Sequence, residues 1–511
     1  MSNELILAYD FGTGGIKASL YDADGNCLTS GFDAYPTAYP RPGWHEQRPE
    51  DWWQATVGAT RSLLQDAPAD AAKRILAIGI SGHSLGVVPI GKAGELLREA
   101  TPIWSDSRPD TQPARFFRHI SEADWYLMTG CGFPAPLYSI FKLMWFADHE
   151  PEMFQRIHKV IGTKDYINYR LTGILATDNS YASGSGVYDL RQRRYSDRLI
   201  AASGLPAGIL PEIVPSATVL GTLTGEAATA LGLPRTVKVV AGGVDNSCMA
   251  LGAGAFKDGR CYNSLGSSSW IAVSSAEPLL NLKSKPYVFD HVVPGQYASA
   301  LAIFSAGTSL SWVRDQLCKD LVERAAKEGV SVYQLMDAEA ATSPAGARHL
   351  LFNPTLAGGS SLDPSPAIRG AFMNLDLGHT RADILRSTLE GISFGLRVVL
   401  DELRSLHPVA PPMTLVGGGA TSPFWRQIYA DIYNLDVVRT RIGQQAAALG
   451  AAATAAVGTG FWPDFTIIDR ISTVTDRLAP NPEANAVYER MLPAYRQAIL
   501  HLADVSVKLK G

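Results

Sequence analysis

The sequence predicts an α/β protein with two halves of similar design, and three observations support this fold class. An apolar run at 5–10, a glycine turn and an alternating segment at 16–21 predict two strands joined by a tight turn. A strand, a glycine–serine turn and a second strand return at 260–275, almost half the chain later. Helical periodicity at 381–407 predicts a long amphipathic helix. Strands that alternate with helices in each half indicate α/β domains with sheets.

Length and charge limit the domain count and the class of partner. A chain of 511 residues is too long for one hydrophobic core, and we place a boundary so that 1–247 and 248–511 form two domains. The chain has 45 basic and 49 acidic residues, a net charge of -4, and no dense Lys/Arg block. Nucleic acid is therefore not expected as a partner.

Cysteine usage and apolar segments indicate the compartment. The five cysteines are odd in number, scattered and without C-x-x-C spacing, which is typical of free thiols in a reducing compartment. The N-terminus lacks the pattern of a secretory signal. The Ala-rich stretch 446–462 is interrupted by glycines and is shorter than the ~20 residues of a membrane span, so we expect a packed core helix. The sequence thus predicts a soluble cytoplasmic protein without a membrane partner.

The segment DFGTGGIK follows the first predicted strand and has the residues of a phosphate and metal site. Asp10 could hold Mg²⁺ directly or through water, the glycines let backbone approach phosphate, and Thr13 and Lys17 add a hydroxyl and a positive charge. A plain glycine-rich hairpin turn is the alternative. A dinucleotide fingerprint is not matched, because Lys17 stands where the third glycine belongs.

Two glycine-rich segments of the second half extend this hypothesis. LGSSS at 265–269 could cradle phosphate with backbone amides and with the hydroxyls of Ser267 and Ser268, although a plain loop is the alternative. Two such turns at equivalent places in two halves make a phosphate clamp more credible. Three glycines at 417–419 stand between a predicted strand and a predicted helix, where a flat ligand could lie against backbone, although a simple tight strand-to-helix turn is the alternative.

Asp245, in AGGVDNSC, lies at the proposed junction between the halves. A carboxylate there could accept the proton of a substrate hydroxyl that attacks phosphorus. A helix N-cap is an equally good interpretation of this aspartate from spacing alone.

GHSLG at 82–86 matches the G-x-S-x-G pattern of a hydrolase nucleophile elbow, which would make Ser84 the nucleophile of a serine esterase. An elbow needs a helix after the serine. The residues that follow include the β-branched Val87, Val88 and Ile90 as well as Pro89, so they predict a strand and a hairpin turn instead. The overlapping segment 86–93 misses the P-loop pattern, because Ala93 replaces the hydroxyl residue that binds Mg²⁺.

Taken in order, these segments resemble the FGGY carbohydrate kinases, whose fold is the duplicated ATPase domain shared with actin, hexokinase and Hsp70. The resemblance covers nearly the whole chain, and the segment 286–317 looks most like the xylulokinase branch. The matching segments include DFGTGGIKASLYD, GWHEQRPEDWW, ISGHSLG, PIWSDSR, KDYINYRLTG, TDNSYASGSGVYDL, GGVDN, SLGSS, LEGISFGLR and GGGATSPFWRQIYAD.

The resemblance implies two actin-like, ribonuclease-H-like ATPase domains with an active-site cleft between them. The N-terminal domain would bind sugar and carry the first phosphate loop, and the C-terminal domain would bind the nucleotide. Asp245 would be the general base, and Asp10 and Asp245 would hold Mg²⁺. The residues implied to bind ATP are Asp10, Thr13, Lys17, Gly266, Ser267, Gly307, Ser311, Gly418 and Gly419. Those implied to bind sugar are His83, Ser84, Leu85, Trp104, Asp245 and Asn246.

The implied function is an ATP- and Mg²⁺-dependent kinase for a terminal hydroxyl of a ketopentose, with D-xylulose as the first expectation. The alternatives are another pentulose, a polyol or a hexulose, a serine esterase using Ser84, and an ATP-binding regulatory module without sugar chemistry. Three departures bear on sugar choice or on domain contacts more than on the kinase chemistry: SGHSLG replaces the usual SGQMHG, AGGSSLDPSPAIRG lacks the usual Glu-Arg, and Gln445 replaces a common Glu. A homodimer is possible, because dimers are common in this family.

Overall fold

The computed structural model describes residues 3–509, which form two compact units. The first unit contains the described residues up to Asp258 together with Ser274–Ser299 and Gln445–Ser472. The second contains Gly259–Val273, Ala300–Gln444 and the described residues from Thr473 onward. The chain therefore returns to the first unit twice after leaving it.

The predicted boundary at 247/248 falls inside one helix, Asp245–Gly252. That helix packs along a second helix, Ala446–Gly458, and both belong to the first unit. The compact units are consequently not two contiguous halves. The assignment of sugar binding to 1–247 and of nucleotide binding to 248–511 stays a prediction.

The first unit has strands and helices in alternation. Its strands are β1 (Leu5–Gly12), β2 (Gly15–Tyr21), β3 (Cys27–Ala34), β4 (Glu46–Gln47), β5 (Ile75–Gly82), β6 (Val88–Ile90), β7 (Thr101–Pro102), β8 (Lys159–Ile161), β9 (Ala176–Asp178), β10 (Tyr188–Asp189), β11 (Arg194–Tyr195), β12 (Glu212–Val214), β13 (Val219–Thr222), β14 (Lys238–Val240), β15 (Gly243–Val244) and β18 (Tyr287–Asp290). Its helices are α1 (Pro49–Asp66), α2 (Ala71–Arg74), α3 (Gln112–Phe116), α4 (Glu122–Thr129), α5 (Ser139–His149), α6 (Pro151–Gln155), α7 (Thr163–Thr172), α8 (Asn179–Ser183), α9 (Asp197–Ser203), α10 (Gly225–Leu231), α11 (Asp245–Gly252), α17 (Ala446–Gly458) and α18 (Ile467–Ile471).

The second unit has fewer and longer helices. Its strands are β16 (Arg260–Leu265), β20 (Leu351–Asn353), β21 (Ala371–Met373), β22 (Ala410–Val416), β23 (Val437–Thr440) and β24 (Val474–Leu478), and β17 (Ser269–Ser275) and β19 (Tyr297–Ile303) contain residues of both units. Its helices are α12 (Gly307–Leu317), α13 (Lys319–Glu328), α14 (Val332–Ala340), α15 (Arg381–Leu406), α16 (Pro423–Tyr433) and α19 (Pro482–Leu509).

The main sheet of the first unit has the order β13-β14-β5-β1-β2-β3, and β15 pairs with the end of β5. Strands β1, β14 and β15 run parallel to β5, whereas β2 is antiparallel to β1. Strand β1 is buried along most of its length, as expected for a strand covered on both faces. The carboxyl ends of β1, β5 and β15 therefore meet at one edge of the sheet.

Small residues let α17 pack closely in the first unit. A Cβ atom on Gly79 of β5 would lie 2.1 Å from the carbonyl oxygen of Ala451, and one on Gly252 would lie 1.8 Å from that of Ala446. Close approach to the α17 backbone therefore needs glycine at both positions. The structure confirms the predicted core helix in the Ala-rich stretch, where most residues of α17 are buried.

The sheet of the second unit repeats the plan of the first. Strand β16 pairs antiparallel with β17 and parallel with β22, as β1 does with β2 and β5. The order continues from β22 to β23 and β24. Helix α15 confirms the predicted amphipathic helix, and its capping box joins Thr380 and Asp383. The α/β class and the two similar sheets thus agree with the prediction.

Among residues 3–509, no helix combines the length and the apolar character that a membrane crossing would need. All five cysteines are free thiols, as expected, and four of them are buried.

Candidate active site

Two carboxylates and a serine lie at the shared edge of the first unit's sheet. Asp10 near the end of β1 pairs in register with Ser81 of β5, and Ser81 pairs in turn with Gly243 of β15. Asp245 follows β15 directly. The hydroxyl of Ser81 donates a hydrogen bond of 3.0 Å to Oδ1 of Asp10. Parallel strands thereby gather side chains that are far apart in the sequence, as is usual at the carboxyl edge of an α/β sheet.

Burial shifts the proton affinity of both carboxylates. Desolvation raises the pKa of Asp245 to about 7, the backbone N–H of Asn246 opposes this shift, and the negative charge of Asp10 adds to it. Desolvation also raises the pKa of Asp10, while the Ser81 hydroxyl and the Lys17 charge act to lower it. Asp245 is therefore poised to exchange a proton near neutral pH, which is the range that suits a general base.

The carboxylates of Asp10 and Asp245 have the chemistry to bind a metal ion that substrate phosphate groups also coordinate. Mg²⁺ is commonly bound by one or two carboxylates, with waters and substrate phosphates filling the other positions. Each carboxylate is partly desolvated, and the charge of Asp10 acts on Asp245, so a cation between phosphate and these groups would offset their repulsion. Within residues 3–509, no cluster of three or more His, Cys, Asp or Glu side chains forms a complete metal site.

Side chains of the same unit hold the turn that joins β1 to β2. The Tyr35 hydroxyl donates to the carbonyl oxygen of Gly12 at 2.5 Å, and Nε2 of Gln47 donates to that of Thr13 at 2.7 Å. Nε1 of Trp104 donates to Oγ1 of Thr13 at 3.0 Å. The structure thus brings Thr13, a predicted phosphate residue, into contact with Trp104, a predicted sugar residue whose side chain is partly exposed.

Lys17 completes the charged part of this hairpin. It lies opposite Asp10 in the β1–β2 register and is half-buried. Residues directly opposite each other in an antiparallel pair have their side chains on the same face. The ammonium group is consequently placed beside the carboxylate rather than on the far side of the sheet.

His83 begins the loop that carried the elbow-like motif. Its backbone N–H donates to the carbonyl oxygen of Phe11 at 3.2 Å, so the loop lies beside the end of β1. The side chain is 3% exposed, and Nδ1 lies 3.4 Å from Oγ1 of Thr163. Burial lowers the pKa of His83 to about 4, so the imidazole is neutral near pH 7. A neutral imidazole can donate through one nitrogen and accept through the other.

Ser84 and Leu85 are the next two residues of that motif. Strand β6 follows the loop, so the helix of a nucleophile elbow is absent after Ser84, as the sequence predicted. Leu85 has a left-handed backbone with φ of 63°, and its side chain packs in an apolar cluster with Phe116 and Trp125. Its side chain is 1% exposed. The sugar-contact role of Leu85 stays a prediction, and its place in the core gives it a packing role as well.

Asp245 is the first residue of α11, and Val244 occupies the N-cap position. The alternative of an N-cap aspartate is therefore wrong by one residue. The Asp245 side chain accepts a 2.7 Å hydrogen bond from the backbone N–H of Asn246. Helix N-termini favour negative charge, which stabilises the carboxylate against its burial. Asn246 is adjacent and only partly buried, as its predicted sugar role requires.

A buried polar network supports the segment that precedes Asp245. Nζ of Lys164 lies 2.5 Å from Oδ1 of Asp165 and 2.8 Å from Oδ1 of Asp178, and it also donates to the carbonyl oxygen of Ala241 at 3.1 Å. Ser180 donates to Asp178 and accepts from the N–H of Val244 at 2.9 Å. Removing one partner of a buried ion pair is costly, so this network fixes the backbone on the way to Asp245.

In the second unit, the β16–β17 turn is tied to the start of α12. The N–H groups of Gly307 and Thr308 donate to the carbonyl oxygens of Gly266 and Ser267 at 3.0 and 3.1 Å. A Cβ atom on Gly307 would lie 2.6 Å from the Gly266 oxygen, so glycine is required there for close approach. Gly266 and Ser267 are exposed. The structure thus brings three predicted ATP residues together.

Ser311 lies one turn further along α12. Its hydroxyl is 3.2 Å from the hydroxyl of Tyr333, which also accepts from Nη1 of Arg314 at 2.7 Å. The arginine is half-buried. Its cationic head and the two hydroxyl groups form a polar surface beside the predicted nucleotide residue.

The glycines of GGGATSPFW open a short 3₁₀ turn between β22 and α16. Gly418 is exposed, and a Cβ atom there would meet nothing closer than 3.9 Å. A Cβ atom on Gly419 would lie 2.9 Å from Cβ of Leu265. Gly417 has φ of 91°, and its Cβ would lie 2.7 Å from the Leu265 carbonyl oxygen. The middle glycine is therefore the open one, and its neighbours are needed for packing.

Sequence reasoning missed three residues that shape these sites. Ser81 could have been found from its place at the end of a strand parallel to β1. Gln47 stands in the quoted segment GWHEQRPEDWW, but nothing local indicates that it bonds the turn between β1 and β2. Gly417 shares its segment with Gly418 and Gly419, and only its positive φ separates it from them.

Gln445, one of the three departures from the usual family pattern, precedes α17, and its side chain acts to lower the raised pKa of Cys27.

Comparisons with known proteins match these observations over nearly the whole chain. The model of the N-terminal domain of the FGGY family of carbohydrate kinases matches residues 5–252, and that of the C-terminal domain matches residues 261–459. A xylulose kinase of Bacillus subtilis is 30% identical over 514 residues, which cover 99% of each chain.

Solved structures give the same result for the fold. A ligand-bound xylulose kinase from Lactobacillus acidophilus superposes with a TM-score of 0.89 at 26% identity, covering 99% of this chain and 100% of that one. A gluconate kinase from the same organism gives a TM-score of 0.87 at 26% identity, covering 99% of each chain. The predicted fold class is confirmed.

Proposed function

Because the chain belongs to the FGGY family of carbohydrate kinases, we propose that it transfers the γ-phosphoryl group of ATP to a terminal hydroxyl of D-xylulose or a closely related ketose. Membership makes the chain a sugar phosphotransferase, with ATP as the co-substrate that a kinase implies. The observation that carries the proposal is the pair of Asp10 and Asp245 at one edge of the first unit's sheet, with a proton affinity for Asp245 near neutrality.

Asp245 acts as the general base. Its carboxylate accepts the proton of the sugar hydroxyl as that oxygen attacks the γ-phosphorus. The bond between the γ-phosphorus and the bridging oxygen breaks, and ADP leaves with the electron pair. Phosphoryl transfer needs mainly positioning and charge neutralisation from the protein. The hydrogen bond from the Asn246 N–H orients the Asp245 carboxylate for this task.

Asp10 and Asp245 would hold Mg²⁺ directly or through water. The bound ion would neutralise the charge of the phosphate oxygens. Ser81 keeps one oxygen of Asp10 hydrogen-bonded and so orients the other. Lys17 and Thr13 face the transferring group in this proposal, since they belong to the same hairpin as Asp10.

The predicted nucleotide residues belong to the second unit. Gly266 and Ser267 would contact phosphate, Gly307 and Ser311 would contact the nucleotide, and Gly418 would lie against the adenosine, with Gly419 beneath it. Three supporting observations are the exposure of Gly266, Ser267 and Gly418, the backbone bonds that anchor the β16–β17 turn, and the open space at Gly418.

On the sugar side of the proposed site, two side chains offer contacts to a substrate. Trp104 offers a partly exposed ring, and His83 offers a neutral imidazole whose buried Nε2 has no hydrogen-bond partner within the described chain. Ser84 replaces the methionine and Leu85 replaces the histidine of the usual SGQMHG segment. Exchanging one polar contact in a sugar pocket changes the free-energy difference between two competing sugars by about 1–3 kcal/mol. A related ketose is therefore an alternative candidate to D-xylulose as the substrate.

Gluconate is the second candidate, because a solved gluconate kinase from Lactobacillus acidophilus is 26% identical to this chain, the same identity as a solved xylulose kinase from that organism. The test is a sugar-dependent ADP-release assay with D-xylulose, other pentuloses, hexuloses, pentitols and D-gluconate. We expect the highest kcat/KM with a ketopentose. A preference for D-gluconate would replace the substrate while keeping the kinase, and ADP release that no sugar stimulates would contradict the proposal.

We place the reaction in the cytoplasm, a proposal that the five free cysteines support, because disulfides are rare in reducing compartments. The homodimer stays a prediction.

A further inference from the structure

Two neighbouring loops of the first unit carry the predicted sugar residues. The first contains His83–Gly86, and the second runs from Pro102 to Trp104. The backbone N–H of Val87 donates to the carbonyl oxygen of Pro102 at 3.3 Å, and the Thr101 hydroxyl donates to the carbonyl oxygen of Val87. These bonds join the loops to each other at their β6 and β7 ends, whereas nearer the sugar residues each loop is tied to another segment, His83 to Phe11 and Trp104 to Thr13.

Lys142 of α5 makes a second direct connection between the two loops. Its side chain is fully buried, and Nζ donates to the carbonyl oxygen of Leu85 at 3.0 Å and to that of Ile103 at 2.7 Å. Leu85 is the residue with the left-handed backbone, and Ile103 immediately precedes Trp104. One ammonium group therefore connects the two loops through a backbone carbonyl oxygen of each.

The surroundings of Lys142 are unusual for a lysine. The residues on either side of it in α5, Phe141 and Leu143, are buried. Desolvation lowers the pKa of Lys142 to about 7, the charge of Asp106 opposes this shift, and the charge of Arg108 adds to it. Asp106 is itself paired with Arg108 at 2.8 Å. A buried lysine that bonds only backbone oxygens is a costly choice for stability alone.

The bridge does not depend on the charge of the amine. An ammonium group has three N–H donors and a neutral amine has two, so either form can bond both carbonyl oxygens. The geometry of the two loops is consequently maintained on both sides of neutral pH.

We infer that Lys142 is a positioning residue for sugar recognition, which sets the separation between the His83–Gly86 loop and Trp104. The inference rests on the proposed sugar kinase function. Lys142 acts through the two backbone carbonyls and touches no substrate. Loss of the bridge would let Trp104 and Ser84 move relative to each other, so sugar binding would weaken and sugar discrimination would relax, whereas ATP residues of the second unit would keep their places.

The test compares Lys142→Met with Lys159→Met. Methionine removes the donor and keeps the length of the side chain. Lys159 is a matched control, because its Nζ also donates to two backbone carbonyls, those of Gly208 and Leu210 at 2.8 Å each, outside the two sugar loops. Steady-state kinetics with the best sugar of the panel give KM for sugar, KM for ATP and kcat, and calorimetry gives the sugar Kd without ATP.

We expect Lys142→Met to raise the sugar KM and Kd about tenfold or more, with the ATP KM within about twofold of wild type. Lys159→Met should leave both KM values within about twofold. If Lys142→Met does not fold, Lys142→Gln, whose side chain is shorter but keeps an N–H donor, carries the test with a smaller rise in sugar KM.

Three outcomes are decisive. A folded Lys142→Met enzyme with an unchanged sugar KM would overturn the inference and leave the kinase function intact. A parallel loss of sugar and ATP affinity would show a general structural role and also overturn it. A wild type that phosphorylates no sugar would instead overturn the proposed function and, with it, the role of Lys142.

Discussion

The β1–β2 and β16–β17 hairpins follow the same plan but carry different chemistry. In the first, Asp10 lies opposite Lys17 and beside Ser81 of the parallel neighbour. In the second, Ser264 lies opposite Trp270 and beside Val416. The repeated fold thus supplies the same strand pairing twice, and only one of the two copies has charged groups beside its turn.

The two turns are also held differently. Side chains of Tyr35, Gln47 and Trp104 bond the first turn. Backbone N–H groups at the start of α12 bond the carbonyl oxygens of the second. In the proposed mechanism the first hairpin therefore supplies charged groups beside the base Asp245, whereas the second would offer backbone and hydroxyl groups to a phosphate chain.

The largest effect is expected at the carboxylate pair. Asp245→Asn should lower kcat about 10²–10⁴-fold, because an amide cannot accept the proton of the sugar hydroxyl. The ATP KM should change little. Steady-state kinetics give both values, and Asp431→Asn in α16 is the control, since it alters another carboxyl with a burial-raised pKa. Near-wild-type kcat in Asp245→Asn would contradict a general base at the sheet edge beside the first hairpin.

A smaller effect is expected when the loss of a charged group in the first hairpin is compared with the loss of a hydroxyl group in the second. Lys17→Met removes a charged donor from the first hairpin and should lower kcat/KM for ATP about 10–100-fold, whereas Ser267→Ala removes a neutral donor from the second and should lower it about 3–10-fold. Lys17→Arg, which keeps the charge, should recover part of the loss. Equal losses in Lys17→Met and Ser267→Ala would mean that the two turns do the same work.

The backbone anchor of the second turn gives the next test. The Cβ of Gly307→Ala would press on the Gly266 carbonyl oxygen and displace the turn. We expect the ATP KM to rise about tenfold while the sugar KM stays within about twofold. The control is Gly208→Ala, because a Cβ atom there would have open space around it. Gly329→Ala is less suitable, because the positive φ of Gly329 would strain an alanine backbone. A Gly307→Ala enzyme with unchanged ATP KM would show that the turn does not need this anchor.

The smallest effect concerns stability. The folded pKa of Asp245 lies above its unfolded value of 3.8, so this group favours the folded state most at low pH and loses that contribution as pH rises through about 7. Asp245→Asn should therefore raise the melting temperature at pH 8.5 by about 2–4 °C and change it less at pH 5.5. Thermal unfolding of both proteins at the two pH values measures the difference, and a larger gain at pH 5.5 would contradict the sign.

Local patterns were enough to predict much of the fold. Alternation and glycine turns located both hairpins, and periodicity located α15. The discontinuous units were not predictable, because the return of Gln445–Ser472 to the first unit depends on packing between α11 and α17, which are far apart in the sequence.

The site was predicted to a similar depth. Motif order pointed to Asp10 and Asp245, but Ser81 becomes meaningful only when β5 pairs with β1. The left-handed backbone of Leu85 had no sequence signal, because such a φ is uncommon for a bulky residue. Tertiary pairing and strained backbone are therefore what one sequence leaves open.

The pH dependence of kcat/KM, measured at limiting concentrations of sugar and ATP, tests the role of Asp245 most directly. Under these conditions the profile reports groups of the free enzyme. The base works as a carboxylate, which exists above the pKa of about 7. The rate constant should therefore fall about tenfold per pH unit below neutrality. A profile that stays flat from pH 8 down to pH 5.5 would contradict a base with this proton affinity.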